Sequence, residues 1–314
     1  MSQFFRWVLY GGMLFCLCVS INSAFAFAQK KQSKDKTILV IAKNFQGNAS
    51  NLAKSLSLSS LGEKHDIINI SLDDWLSNKP KADLIISIGN EPLENLLSEK
   101  ITIPLLSVLI TSKQWHSIRK HNATDLNVNA IFYDPDLIRQ ALLAKMLLPK
   151  AKSIGLMYSE TNDTISDLLK IKLKQLNLEL NTLLINNNSD VIRKYPALSD
   201  QSDIIIAIPD TVAYTNQTLP RILLTSYRQQ KPVIGYSTGM VKAGAVATTF
   251  TSFDMLIKDT EETALDILNA KVKNDARHSK YYSIKYNDAV SLSLGLKPIS
   301  QNLFEKELQR LLSQ

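Results

Sequence analysis

The run Asp203-Ile204-Ile205-Ile206-Ala207-Ile208 decides how this chain folds. Five consecutive apolar residues with no polar alternation do not suit a strand with one wet face. They fit a parallel strand covered on both faces by crossover helices. Similar runs recur at Thr37 to Ala42, Asp66 to Ile70, Leu84 to Ile88, Pro104 to Ile110, Ser153 to Tyr158 and Pro232 to Tyr236, mostly with helical patterns between them. Leu137, Ala141, Ala144 and Leu148 share one helical stripe, as do Ile165, Leu168, Leu169 and Leu176, and such stripes read as core. The alternation predicts a doubly wound α/β architecture.

At 314 residues the chain is long enough for two lobes, each with its own core. With 45% apolar and 21% charged residues, 10 Gly and 10 Pro, it is neither a disordered tail, a collagen-like rod nor a disulfide-dense miniprotein. A net charge of +7 calls for nucleic acid only if Lys and Arg gather on one face, and here they are scattered. The densest run, Lys30, Lys31, Lys34 and Lys36 among Gln29, Gln32 and Ser33, reads as a solvated linker over 29–36. No nucleic-acid partner is expected.

Residues 1–28 read as a signal peptide. Arg6 is followed by an apolar stretch from Trp7 to Val19, then Ser20, Asn22 and Ser23, then Ala24-Phe25-Ala26-Phe27-Ala28, with cleavage options after Ala26 or Ala28. The apolar part is short of the ~20 residues a spanning helix needs, so export is expected, with an uncleaved membrane anchor as the alternative. Both cysteines, Cys16 and Cys18, lie in this segment, so the mature chain has no disulfide, thiolate metal site or Cys nucleophile. Neither follows a small residue, which argues against a lipoprotein.

Chain crossings between lobes are expected at Tyr133-Asp134-Pro135, where proline disfavours helix before it, at Ala247 to Thr251, and at Lys273 to Lys280. They assign 37–132 plus 248–276 to lobe 1 and 133–247 plus 277–314 to lobe 2. No internal repeat is visible.

Gly235-Tyr236-Ser237-Thr238-Gly239 matches the G-x-S-x-G of a nucleophile elbow, with Asp254 or Asp259 and then His278 in order downstream. The short interval before Ala243-Gly244 leaves no room for the elbow's helix, so a secreted serine hydrolase using Ser237 stands only as an alternative. The histidines His65, His116, His121 and His278 lack helical zinc spacing, and His116 and His121 read as a surface loop. Asn44-Phe45-Gln46-Gly47 stands where a dinucleotide fold carries its glycines, and there is no Walker-type string. No cofactor and no metal are expected.

Open α/β sheets bind ligands at the carboxyl ends of their strands. There the chain places Asn44 and Phe45, Gly89-Asn90-Glu91, Thr111 and Ser112, Tyr158-Ser159-Glu160, Pro209-Asp210-Thr211, then Tyr236 and Ser237. Helix capping accounts for many of these singly. Glu91, Glu160 and Asp210 together would make an acidic rim suited to a ligand bearing an amine.

The stretch Asp203 to Val272 also carries a resemblance. A strand ending at Asp210, a strand opening Lys231-Pro232-Val233, the segment Val241, Gly244, Ala245, Ala247 and a long helix resemble the ABC-transporter substrate-binding proteins typified by tryptophan and tyrosine binding proteins, a branch of the type 1 periplasmic binding proteins. Leu148-Pro149 with Ser153 to Tyr158, and Asn287, Ala289 and Leu294-Gly295-Leu296, are similar to the family's other elements. The resemblance implies two parallel-sheet lobes with a ligand cleft between them. It also implies a periplasmic, non-enzymatic monomer that closes by hinge motion and delivers a small, amino-acid-like molecule to an inner-membrane ABC permease and its ATPase. A periplasmic sensory subunit of the same fold is the alternative. The implied contacts are Asn90 and Thr111 on one lobe and Tyr158, Asp210, Tyr236 and Ser237 on the other, with Asp210 as acceptor for a ligand amine. Phe45, Trp115, Tyr158 or Tyr236 could stack on the ligand. The family's G-T-P-A is replaced by Gly89-Asn90-Glu91-Pro92, its next D-P pair by Thr111-Ser112-Lys113, and two helix-opening positions by Phe253 and Ile257. The fold is therefore expected to carry over and the ligand's identity is not.

Overall fold

The computed structural model describes residues 35–122, 127–159 and 167–313. The expected signal segment, most of the linker and Glu160 lie outside them. Among the described residues no helix is long and apolar enough to cross a membrane.

The compact unit Lys36–Gln314 holds two sheets. The chain first runs β1 (Thr37–Ala42), α1 (Asn48–Leu58), α2 (Ser60–Lys64), β2 (Asp66–Ser71), α3 (Leu72–Asn78), β3 (Leu84–Ile88), α4 (Asn90–Ser98), β4 (Leu105–Ile110), α5 (Ser112–His121) and β5 (Val128–Phe132). It continues through α6 (Leu137–Leu147), β6 (Ser153–Tyr158), α7 (Asp167–Gln175), β7 (Glu179–Leu184), α8 (Asn188–Gln201), β8 (Ile204–Ile206), α9 (Leu219–Arg228), β9 (Val233–Ile234), α10 (Thr238–Ala243) and β10 (Ala247–Phe250). Then α11 (Phe253–Leu268) and β11 (Ala276–His278) return to the first sheet, and β12 (Ser283–Tyr286), α12 (Asp288–Ser293) and α13 (Gln301–Leu312) complete the second.

The first sheet has the order β2-β1-β3-β4-β5-β11 and is parallel throughout. The second, β7-β6-β8-β9-β10-β12, repeats that order with one antiparallel pair, β10 with β12. The two-lobed α/β reading therefore holds.

The reason lies in the strands' side chains. Ile204 and Ile206 enter one buried cluster with Leu143, Phe304 and Leu308, while Ile205 enters another with Tyr195, Ile222 and Met240. In the first sheet Ile38 and Val40 pack with Leu52 and Leu56, while Leu39 and Ile41 pack with Leu93 and Leu96. Because both faces are covered, the central strands are mostly apolar, and the polar exceptions Ser87, Ser107 and Asn129 are as fully buried as their neighbours. Each fully buried Ile or Leu contributes about 1.5–3 kcal/mol relative to exposure.

Sheet pairing moves two of the expected crossings. All of β10 pairs within the second sheet, so 248–250 belong there, and β11 pairs with β5, so 277–278 belong to the first. Strands of three or four residues are too short for composition to show which sheet they join. His116 and His121 lie on helix α5 rather than in a loop.

Candidate functional site

Three chain crossings join the sheets, and side chains stitch them together. On α6, Arg139 donates to the Ser279 carbonyl at 2.8 Å and its guanidinium lies 4.3 Å from the Tyr282 ring centre. Buried Gln140 donates to the Gly235 carbonyl at 2.7 Å and accepts from Thr249 N–H at 3.0 Å, which ties α6 to the end of β9 and to β10. Thr251 donates to the Tyr281 carbonyl at 3.0 Å.

On α11, Asp259 is fully buried. It accepts from Arg277 Nη1 and Nη2 at 2.9 Å each, from Ser279 Oγ at 2.8 Å and from Lys280 N–H at 2.9 Å. Burial alone would raise its pKa, but the Arg277 hydrogen bonds and charge, with those from Ser279 and Lys280, hold it below the ordinary carboxylate value.

Beside these crossings lies a cavity of about 270 Å³. Thr111, Ser112, Lys113 and His116 at the start of α5 form part of its wall, together with Phe132 at the end of β5. Asp134 to Ile138 of the first crossing, His278 at the end of β11, Leu168 and Leu169 of α7, and Ile208 and Pro209 after β8 complete it. Residues following β4, β5 and β8 border one space, so the carboxyl edges of both sheets meet at it, as a ligand cleft in an open α/β fold requires. The helix start at Thr111 is a capping box, with Thr111 Oγ1 accepting from Gln114 N–H and the Gln114 side chain accepting from Thr111 N–H.

The wall offers three kinds of chemistry. Phe132, Pro135, Leu137, Ile138, Leu168 and Ile208 give it an apolar body. Lys113, His116 and His278 supply nitrogen groups, and both imidazoles meet the Phe132 ring, at 6.3 and 5.3 Å between centres. His116 Nδ1 lies 2.6 Å from the Ser112 carbonyl oxygen, which makes Nδ1 the protonated donor. Asp134 and Asp136 supply carboxylates. Among the described residues no group of three His, Cys, Asp or Glu could hold a metal ion.

Of the six expected contacts, only Thr111 is part of this wall. Asn90 opens α4 after Gly89, whose φ of +87° lets the backbone turn there without a side chain. Neighbouring Glu91 pairs with exposed Lys43 at 2.9 Å. Tyr158 ends β6. Tyr236 meets Tyr214 edge-on at 5.8 Å, and burial raises its phenol pKa with a further contribution from Asp210.

Ser237 has extended backbone (φ −154°) and caps the six-residue α10, with Oγ accepting from Met240 N–H. His278 meets Phe132 and Asp134 instead. The elbow's strained serine and long helix are therefore replaced by an ordinary cap. Trp115 is buried in the first lobe's core, and Phe45 packs on that core.

Asp210 is 7% exposed, and all its acceptor capacity is in use. Oδ1 accepts from Val212 and Ala213 N–H at 2.9 and 2.8 Å, and Oδ2 accepts from Ser159 N–H and Oγ at 2.8 and 2.9 Å. Burial pushes its pKa up, but those four hydrogen bonds win and hold it low. Asp210 thus fastens the loop after β8 to the end of β6.

Sequence reasoning missed Asp134, His116 and His278 as cleft residues. Asp134 and Pro135 stood out only as a crossing, and His278 only as a partner for Ser237. Their convergence has no local pattern.

The family profile described as ABC transporter substrate binding protein matches residues 59–290. A tyrosine-binding protein of Clostridioides difficile (strain R20291) is 25% identical over 199 residues, 62% of this chain; the chain spans 57% of that protein's length. Two solved structures share the fold. The ligand-free, open structure of a substrate binding protein with adhesive properties from Clostridium difficile has a TM-score of 0.63 at 19% identity, covering 85% of this chain and 97% of that one. An ABC domain in complex with L-Trp from Streptococcus pneumonia has a TM-score of 0.56 at 18% identity, covering 86% and 98%.

Proposed function

The chain belongs to the ABC transporter substrate binding protein family, and from that premise we propose that it is the exported, non-enzymatic solute-binding component of an ABC importer. It closes two lobes over a small amino-acid-like guest and presents that guest to an inner-membrane permease with its ATPase. The observation that carries this reading is the cavity at the crossings. Its wall takes Thr111, Ser112, Lys113 and His116 from one sheet's carboxyl edge and Ile208 and Pro209 from the other's. A guest touching both sides stabilises the closed form through contacts that the open form lacks.

The wall's chemistry favours an amino acid with an apolar, aromatic side chain, since it joins carboxylates and nitrogen donors to an apolar body. The tyrosine named for one relative and the L-Trp bound in another agree with this. Thr111 is assigned to direct guest contact and Asp210 to shaping the loop behind it. The signal-like N-terminus supports export to the periplasm.

The test is a thermal-shift screen of the mature protein against amino acids, nucleosides and small amines, followed by small-angle scattering with any hit. An amino-acid hit raises the melting temperature, because the guest binds the folded form, and contracts the scattering profile. No hit, or a hit without contraction, rejects the reading.

A further inference from the structure

Among the described residues three carboxylates lie in or beside the cleft, and hydrogen bonding together with exposure separates them. An ionised carboxylate has about four acceptor positions. Asp210 has filled all four with Val212, Ala213 and Ser159. Asp136 caps α6 with Oδ1 at Ile138 N–H, 2.8 Å away, and its side chain is 24% exposed with Arg139 Nε 3.9 Å from Oδ2, so water and a cation already meet its charge. Asp134 differs from both. It is 9% exposed and borders the cavity, yet each oxygen accepts a single hydrogen bond, Oδ1 from Ser112 N–H at 2.8 Å and Oδ2 from Ser112 Oγ at 2.6 Å.

Among the described residues the basic group that faces Asp134 is His278, whose Nε2 stands 3.7 Å from Oδ2, and Lys113 lines the same wall. A 3.7 Å separation is beyond a hydrogen bond. A buried charge with half its acceptor positions in use is costly unless a cation meets it, and an ammonium group brings three donors.

We propose that Asp134 is the specificity-determining acceptor for an amine on the guest, the role that the acidic strand ends and the family resemblance suggested for Asp210. The assignment rests on the binding function above. Asp134 suits the role because it sits on the first crossing, at the mouth of both lobes, between the donors of α5 and the apolar side of Phe132 and Pro135. A guest ammonium held there leaves its apolar side chain to that wall and its carboxylate to Lys113, His116 and His278.

Asp134 also anchors the first turn of α5 through Ser112, so the test must separate anchoring from recognition. The probes are L-tyrosine and L-tryptophan, each against its deaminated acid, 3-(4-hydroxyphenyl)propionate or indole-3-propionate, titrated calorimetrically into the wild type, Asp134→Asn and Ser112→Ala. The wild type prefers an amino acid over its deaminated partner by about ten-fold or more. Asp134→Asn brings that preference to within about two-fold and leaves the affinity for the deaminated acid nearly unchanged. Ser112→Ala, which keeps the carboxylate, keeps the preference.

A wild type that binds both members of a pair equally overturns the assignment, and so does an Asp134→Asn variant that keeps the preference or weakens both members alike. Should Asp134→Asn fail to fold, Asp134→Ser, a smaller neutral side chain, carries the same comparison. Binding of no probe and no other amino acid overturns the importer reading and the assignment with it.

Discussion

Replacing Asp259 by Asn removes the charge at the joint between α11 and the last crossing while keeping the side chain's shape. Four of the carboxylate's contacts run to the segment 277–280, and the Asn amide would point N–H donors at the donors of Arg277, Ser279 or Lys280. Removing one partner of a buried ion pair costs about 3–5 kcal/mol, because the other charge is left uncompensated. The low end applies here, since the Arg277 side chain is 28% exposed and keeps Asp275 at 2.9 Å. The expected loss is therefore about 3 kcal/mol.

With a urea dependence of roughly 3 kcal/mol per molar, the unfolding midpoint falls by about 1 M, read by circular dichroism at neutral pH. The pH dependence follows from the depressed pKa of Asp259. Its contribution is fully present above the unfolded carboxyl pKa of about 3.9, and it is lost as pH falls through the lower folded value. The gap between wild type and variant therefore narrows below about pH 4. A midpoint change under about 0.3 M at neutral pH, with an unchanged slope, would show that this joint does not hold the crossing.

Two further outcomes follow from particular contacts. Gly155→Ala, in the middle of β6, places a Cβ 2.6 Å from Ile205 Cδ1 and 2.6 Å from Ser202 Oγ, so chemical denaturation should show a loss of about 1–3 kcal/mol. A neutral result there would mean that the second sheet repacks freely. Asp210→Asn turns an amide toward Ser159 or toward the Val212 and Ala213 N–H groups, which should cost about 1–3 kcal/mol. Because the Asp210 pKa is held low, that cost is present above about pH 4 and fades in acid, and a loss that is constant from pH 7 to pH 3 would contradict it.

How much was legible in the sequence depends on how local each decision is. Thr37–Ala42, Leu84–Ile88 and Ser153–Tyr158 appear as strands with the limits their composition suggests, because burial on both faces leaves an uninterrupted apolar run. The strand Val128–Phe132 escaped notice because it carries Asn129. That side chain is tolerated at zero exposure only because it donates to Leu105 and Asn127 and accepts from Asp275 N–H, across the sheet. Glu179–Leu184 escaped because an edge strand is partly polar. The two sheets share one strand order although the sequence shows no repeat, since topology constrains only where apolar residues fall.

The cleft was legible only in outline. Strand ends are marked by their own caps, so Thr111, Asp210 and Ser237 could be found one by one. Whether a carboxylate there has acceptor capacity left depends on backbone N–H groups brought by other loops, and this separates Asp210 from Asp134. Likewise Asp134 and His278 stand 3.7 Å apart across 144 residues of chain, joined by a sheet that pairs β11 with β5. The sequence by itself determined the strands that are uninterrupted apolar runs, the helical stripes and the two-lobed class, because burial on both faces and helical periodicity are local properties. Only the tertiary structure decided which strand ends face one another and which charges meet there, because those distances are set by sheet order and chain crossing.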